Sequence, residues 1–175
     1  KIYIITDNST IEIIDAVSEV VINTISTSFV GDLKSITSNN GFVYVSINRL
    51  GQDKIDIIET STDTIASTID IDDNPCSLVY SDKLGKVFTT NKDSNSVSII
   101  DINTNTIENT FSTFTNEPYQ IEIDEINDYV YVRTNEDIEV FDGEGNTKLK
   151  GLPALRELYG KLFDNEPNQM AMIYK

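Results

Sequence analysis

The side chains with chemistry to offer are carboxylates, and they come in groups. Asp53 is followed by Asp72 and Asp73, then Asp93, then Glu136 and Asp137, each group set among Gly, Ser or Asn. Such oxygens can gather a hard cation such as Ca2+, or hold a divalent ion that activates water for hydrolysis. They can equally face a basic partner surface. No spacing approaches a calcium-binding loop. Asp142-Gly143-Glu144-Gly145-Asn146 alternates oxygen-bearing residues but has no Glu at the distal position. It lines up instead with Asp15, Glu59 and Asp101, where an acidic residue caps a tight turn. His is absent and Cys76 is the single cysteine, which excludes a His-centred triad, a His zinc site and an intramolecular disulfide. No cofactor is expected beyond Ca2+ at the acidic loops.

Charge narrows the partners. Against 29 acidic residues stand 13 basic ones, a net charge of −16. A face that coats nucleic acid or anionic lipid needs the opposite excess. No apolar run approaches the roughly 18 residues that span a bilayer, so membrane insertion is not expected. At 39% hydrophobic residues the chain has material for a core.

The elements that must position these carboxylates are short and repeated. One series reads IYIIT at 2–6, VYVSI at 43–47, VFTTN at 87–91 and VYVRT at 130–134. A second follows it: IEIID at 11–15, IDIIE at 55–59, VSIID at 97–101 and IEVFD at 138–142. A third is VINTI at 21–25, IASTI at 65–69, IENTF at 107–111 and a degenerate TKLKGL at 147–152. A fourth is LKSITS at 33–38, PCSLVYS at 75–81, PYQIEID at 118–124 and PNQMAMIY at 167–174. Each string is rich in Ile, Val, Thr and Tyr, alternates apolar with polar residues and ends in turn residues, so each predicts a β-strand. Four strands per 41–44 residues is the period of a propeller blade. The fold class predicted is all-β, a β-propeller of four-stranded antiparallel blades.

The strings Lys86-Val87-Phe88-Thr89-Thr90-Asn91, Asn95 to Asp101 and Thr104-Asn105-Thr106-Ile107 resemble the YVTN-type β-propeller repeat. Pro75 and Pro118 match the Pro that opens the innermost strand of that repeat. The resemblance covers residues 1–147 and implies a propeller, commonly on a cell surface or in a secreted protein. It implies binding rather than catalysis and carries no universal catalytic residue.

With strands lettered A to D outward from the axis, residues 1–27 supply BCD, and 28–71, 72–113 and 114–152 supply whole blades. Residues 152–164 form an insertion and 167–175 a returning strand A. Pairing of that strand with the one at 2–6 would close a four-bladed ring; the alternative is four blades of a larger propeller. Leu152, Leu155, Leu158, Tyr159 and Leu162 recur at helical spacing with Pro153 in the first turn, which predicts an amphipathic helix over 152–163. Its apolar face either covers the ring or docks a neighbouring subunit, with Arg156 and Lys161 meeting an acidic rim.

Ligands of such rings sit on the face made by the B–C and D–A loops. The candidate partner-binding residues are therefore Asp53, Asp72, Asp73, Asp93, Glu136, Asp137, Arg156 and Lys161. Tyr3, Tyr44, Phe88 and Tyr131 hold equivalent B-strand positions and read as packing between blades, and Cys76 as a small buried apolar residue. The expectation is a non-enzymatic structural or binding module for a protein or glycan partner, extracellular, on a cell surface or in a virion. The alternative is a propeller hydrolase or lactonase using carboxylates and a divalent ion at the axial mouth.

Overall fold

The computed structural model describes residues 1–149 apart from 7, 8, 29, 40, 50, 113–116, 136, 146 and 147, and the backbone only at 148 and 149. The helix expected at 152–163, the returning strand at 167–175, and Glu136, Arg156 and Lys161 lie outside the described residues. The rest is all-β. β1 (Ile2–Ile5), β2 (Thr10–Ile14) and β3 (Val21–Ser26) form one antiparallel sheet. β4 (Asp32–Ser38), β5 (Phe42–Asn48), β6 (Lys54–Glu59) and β7 (Thr64–Asp70) form the second. β8 (Pro75–Ser81), β9 (Lys86–Asn91), β10 (Ser96–Asp101) and β11 (Thr106–Ser112) form the third. The fourth holds β12 (Pro118–Asp124), β13 (Tyr129–Thr134), β14 (Ile138–Asp142) and β15 (Lys148–Leu149). Within each sheet every strand pairs with its neighbour in sequence, as hairpin connections demand.

The turns repeat along with the strands. Glu19 (φ 58°), Asp63 (φ 54°), Asn105 (φ 52°) and Gly145 (φ 69°) hold the same left-handed position in the turns after β2, β6, β10 and β14. The preceding acid caps each turn. Asp15 accepts the N–H groups of Val17 and Ser18 at 3.0 and 2.7 Å, Asp101 that of Asn103 at 2.6 Å, and Asp142 that of Glu144 at 3.2 Å. At Gly145 a side chain is excluded twice over, because a Cβ would also lie 2.3 Å from the Phe111 ring.

Three hydrophobic clusters join the sheets in succession. Ile11, Ile13 and Ile25 pack on Val43, Val45 and Ile58. Tyr44, Ile55 and Ile57 pack on Leu78, Val87 and Ile100. Phe88, Val97 and Ile99 pack on Ile121, Ile123, Val130, Val132 and Phe141. Each fully buried Ile, Val or Phe contributes about 1.5–3 kcal/mol relative to exposure. Two hydroxyls tie the B strands to the next sheet's turn: Tyr3 donates to Asp63 at 2.7 Å and Tyr44 to Asn105 at 2.9 Å. The inner strands β4, β8 and β12 stand side by side. Among the described residues no fourth cluster joins the last sheet to the first, so these residues form an open succession of sheets.

Candidate functional site

The loops that precede the inner strands and those that follow β5, β9 and β13 lie on one side of the molecule and are bonded to each other. Lys92 N–H donates to Asn74 O at 2.9 Å, Asp93 N–H to Asp73 O at 3.2 Å, and Asp73 N–H to Ser94 Oγ at 2.9 Å. Asn135 N–H likewise reaches Glu117 O at 3.2 Å. Backbone groups that would otherwise be left to solvent are thus used to fix the rim.

This bonding brings Asp72, Asp73 and Asp93 together. Asp73 and Asp93 are exposed. Asp72 is also exposed and accepts the Ser96 hydroxyl at 2.8 Å. Asp137 is exposed on the turn before β14, where its backbone N–H donates to Thr134 Oγ1 at 2.9 Å. Asp53 departs from expectation. It is 7% exposed, and its oxygens accept Arg49 N–H and Asn74 N–H, each at 2.5 Å. It staples the loop after β5 to the loop before β8, so it is spent on structure and does not face a partner. Among the described residues no three Cys, Asp or Glu side chains come together as a metal site.

Inside the rim is a feature that the loop motifs did not point to. A bowl of about 360 Å³ opens between three sheets. Lys34 and Ser35 line it from β4, and Cys76 and Ser77 from β8. Tyr119, Gln120 and Arg133 close the side formed by β12 and β13. Each inner strand is bulged at the same place, between Leu33 and Ser35, Pro75 and Ser77, and Pro118 and Gln120. A bulge interrupts the ladder and turns a side chain away from the pleat. The residues so displaced are Lys34, Cys76 and Tyr119. The signal was present in the second and third positions of the fourth series of strings, which hold Lys34-Ser35, Cys76-Ser77 and Tyr119-Gln120.

The electrostatics of the bowl differ from those of the chain. Cys76 is half-buried rather than fully enclosed, and its thiol donates to Asn74 O at 3.3 Å. Burial pushes the thiol above its ordinary value, against the pull of Lys92 and Lys34. Tyr119 donates its hydroxyl to Glu117 at 2.8 Å, and that bond, with burial, raises the phenol. Lys92 pairs with Glu117 at 3.4 Å and stands 5.0 Å from the centre of the Tyr119 ring. Burial disfavours the Lys92 charge, but Tyr119, Glu117 and Asp93 outweigh it and raise the ammonium above its ordinary value.

No protein-family model matches the chain, and no curated protein does. Its fold is widely shared: 847 chains of solved structures match it, so fold alone selects no chemistry. One is hydrazine synthase from Kuenenia stuttgartiensis, with a TM-score of 0.72 and 14% identity. The match covers 81% of this chain and 42% of that one, so this chain spans less than half the length of that protein. At such identity the likeness concerns the fold.

Proposed function

We propose that the four sheets are blades of a YVTN-type β-propeller and that the chain is a non-enzymatic binding module. Its loop face presents carboxylates to a basic segment of a protein partner. The observation that carries this reading is the rim itself: exposed Asp73 and Asp93 on two loops fixed to each other by backbone bonds. Rigid loops lose little freedom on binding, and clustered like charge steers a partner of opposite sign. The side-by-side inner strands support the propeller reading, as does the return of the 118–124 pattern at 167–174.

The test is anisotropy titration of the full chain with Lys- and Arg-rich peptides and with neutral glycans, at low and physiological salt. Peptide binding that weakens with salt and is lost in Asp73→Asn/Asp93→Asn/Asp137→Asn is the expected result. Glycan binding that ignores those substitutions would replace the partner class. Amide exchange reports on the edge of β1: protection of the β1 amides that point away from β2 would show that another strand covers that edge.

A further inference from the structure

The bowl inside the acidic rim holds the opposite charge. Residues 1–147 contain eight basic side chains. Lys1, Lys54, Lys83 and Lys86 are committed to Asp63, Asp70, Asp128 and the pair Glu108 and Glu144, all away from the bowl. Arg49 does not line it. Lys34 and Arg133 do, and Lys92 stands at its edge over Tyr119.

Arg133 is half-buried, and its guanidinium has no hydrogen-bond or ion-pair partner among the described residues. A guanidinium carries five donors in a planar fork, and partial burial without acceptors is costly. Among the described residues Lys34 reaches only Asp32, at 3.2 Å, and that carboxylate is 80% exposed. Such a pair is weak and leaves the ammonium available. Two cations with donors to spare therefore face one cavity, while the other lysines among the described residues are held in ion pairs.

We propose that this bowl binds a small oxyanion, a carboxylate or phosphate group, gripped by the Arg133 fork with Lys34 closing on it from β4. The fork matches two oxygens of either group, whereas the ammonium acts as a point charge. Hydroxyls of Ser35 and Ser77 and the amide of Gln120 complete a polar wall suited to the body that carries the anion. The volume is that of about a dozen waters, which admits a single acidic sugar or a short organic acid. This site is independent of the rim: a cationic partner engages Asp73 and Asp93, and the anion sits below them.

The experiment uses the full chain, titrated calorimetrically with inorganic phosphate and separately with glucuronate. Cys76, the one cysteine, serves as an internal reporter because it lines the same cavity. At least one probe should bind saturably with a Kd of about 1 mM or tighter. That probe should slow alkylation of Cys76 severalfold at mildly alkaline pH. Arg133→Gln should weaken binding about tenfold or more. Lys34→Gln, at a half-exposed position on a bulge, provides a second variant if Arg133→Gln disturbs folding. Glucuronate binding without phosphate binding assigns a carboxylate ligand; the reverse assigns a phosphate. The proposal is overturned if neither probe saturates. It also falls if a bound probe leaves Cys76 alkylation unchanged, or if both variants bind like the parent. Peptide binding at the rim has no bearing on these readouts, so the two proposals fail separately.

Discussion

The first and third sheets are built from the same kind of string and live in opposite surroundings. In the third, every residue of β9 is buried, including Thr89, Thr90 and Asn91 at 0% exposure. In the first, the more apolar β1 leaves Ile2 48% and Ile4 42% exposed, and β3 leaves Val21 and Ile22 about half exposed. The third sheet packs on neighbours through both faces, the first on the second sheet alone among the described residues. A sheet covered on both sides buries residues of both parities, and its polar ones must then bond to one another. Several do: Asn91 Nδ2 donates to Ser96 Oγ at 3.0 Å and Ser98 Oγ at 2.9 Å, and Ser98 meets Thr110 at 3.0 Å, whereas Thr89 Oγ1 and Asn91 Oδ1 find no partner among the described residues. Position in the succession of sheets, more than hydrophobicity of the string, decides what is core.

The contrast is broken most severely at Phe88. Its ring is fully buried between the third and fourth sheets, and Phe88→Ala should cost about 3–5 kcal/mol in denaturant unfolding. Ile4→Ala, on the open face, should cost less than about 1 kcal/mol. A large loss at Ile4 would mean that its face is covered in solution.

Next in size is a contrast between carboxylates. Asp56 is fully buried on β6, where it accepts the backbone N–H of Ser28 at 2.8 Å and the hydroxyls of Ser28 and Thr68 at 2.5 and 2.8 Å. Asp56→Ala leaves those donors without their acceptor and should destabilise by about 2–4 kcal/mol, measured by chemical denaturation. Asp73→Ala on the rim should stay within about 0.5 kcal/mol.

These pairs mark how far a sequence reading reaches. Strand number, order and pairing follow from four interleaved strings, because alternation and turn residues are local properties that each unit repeats. The acidic caps at Asp15, Asp101 and Asp142 were legible for the same reason. Asp53 was not told apart from Asp73, since burial of a carboxylate depends on which backbone N–H groups another loop brings to it. Lys34 and Arg133 were passed over because their meeting requires three bulged strands to stand side by side, and no local spacing encodes that. The polar TTN of β9 illustrates the same limit: only the packed neighbours reveal that it is core.

The smallest effect sets two acids on one strand against each other. Asp124 is held below the ordinary carboxylate value of 3.8 chiefly by the Asn127 side chain. Burial opposes this, and the N–H groups of Ile126 and Asn127, with the charge of Lys83, add to it. A depressed value means stability that is present above about pH 3.8 and is lost as pH falls through the folded value. Asn127→Ala should lower stability at neutral pH and flatten that acid loss. Glu122, two residues earlier, is shifted the other way: burial raises it above the ordinary 4.5, against the Gln120 hydrogen bond. Its carboxylate is therefore a burden at neutral pH that disappears once the pH drops through its folded value. Glu122→Gln should raise stability at pH 7 by less than about 1 kcal/mol, because the group is only partly buried. The gain should vanish below about pH 4.5, the ordinary value for the free side chain. Opposite pH slopes for Asn127→Ala and Glu122→Gln in thermal melts from pH 3 to 7 would establish that β12 carries both environments. Parallel slopes would place Glu122 in the same solvent as the loop acids.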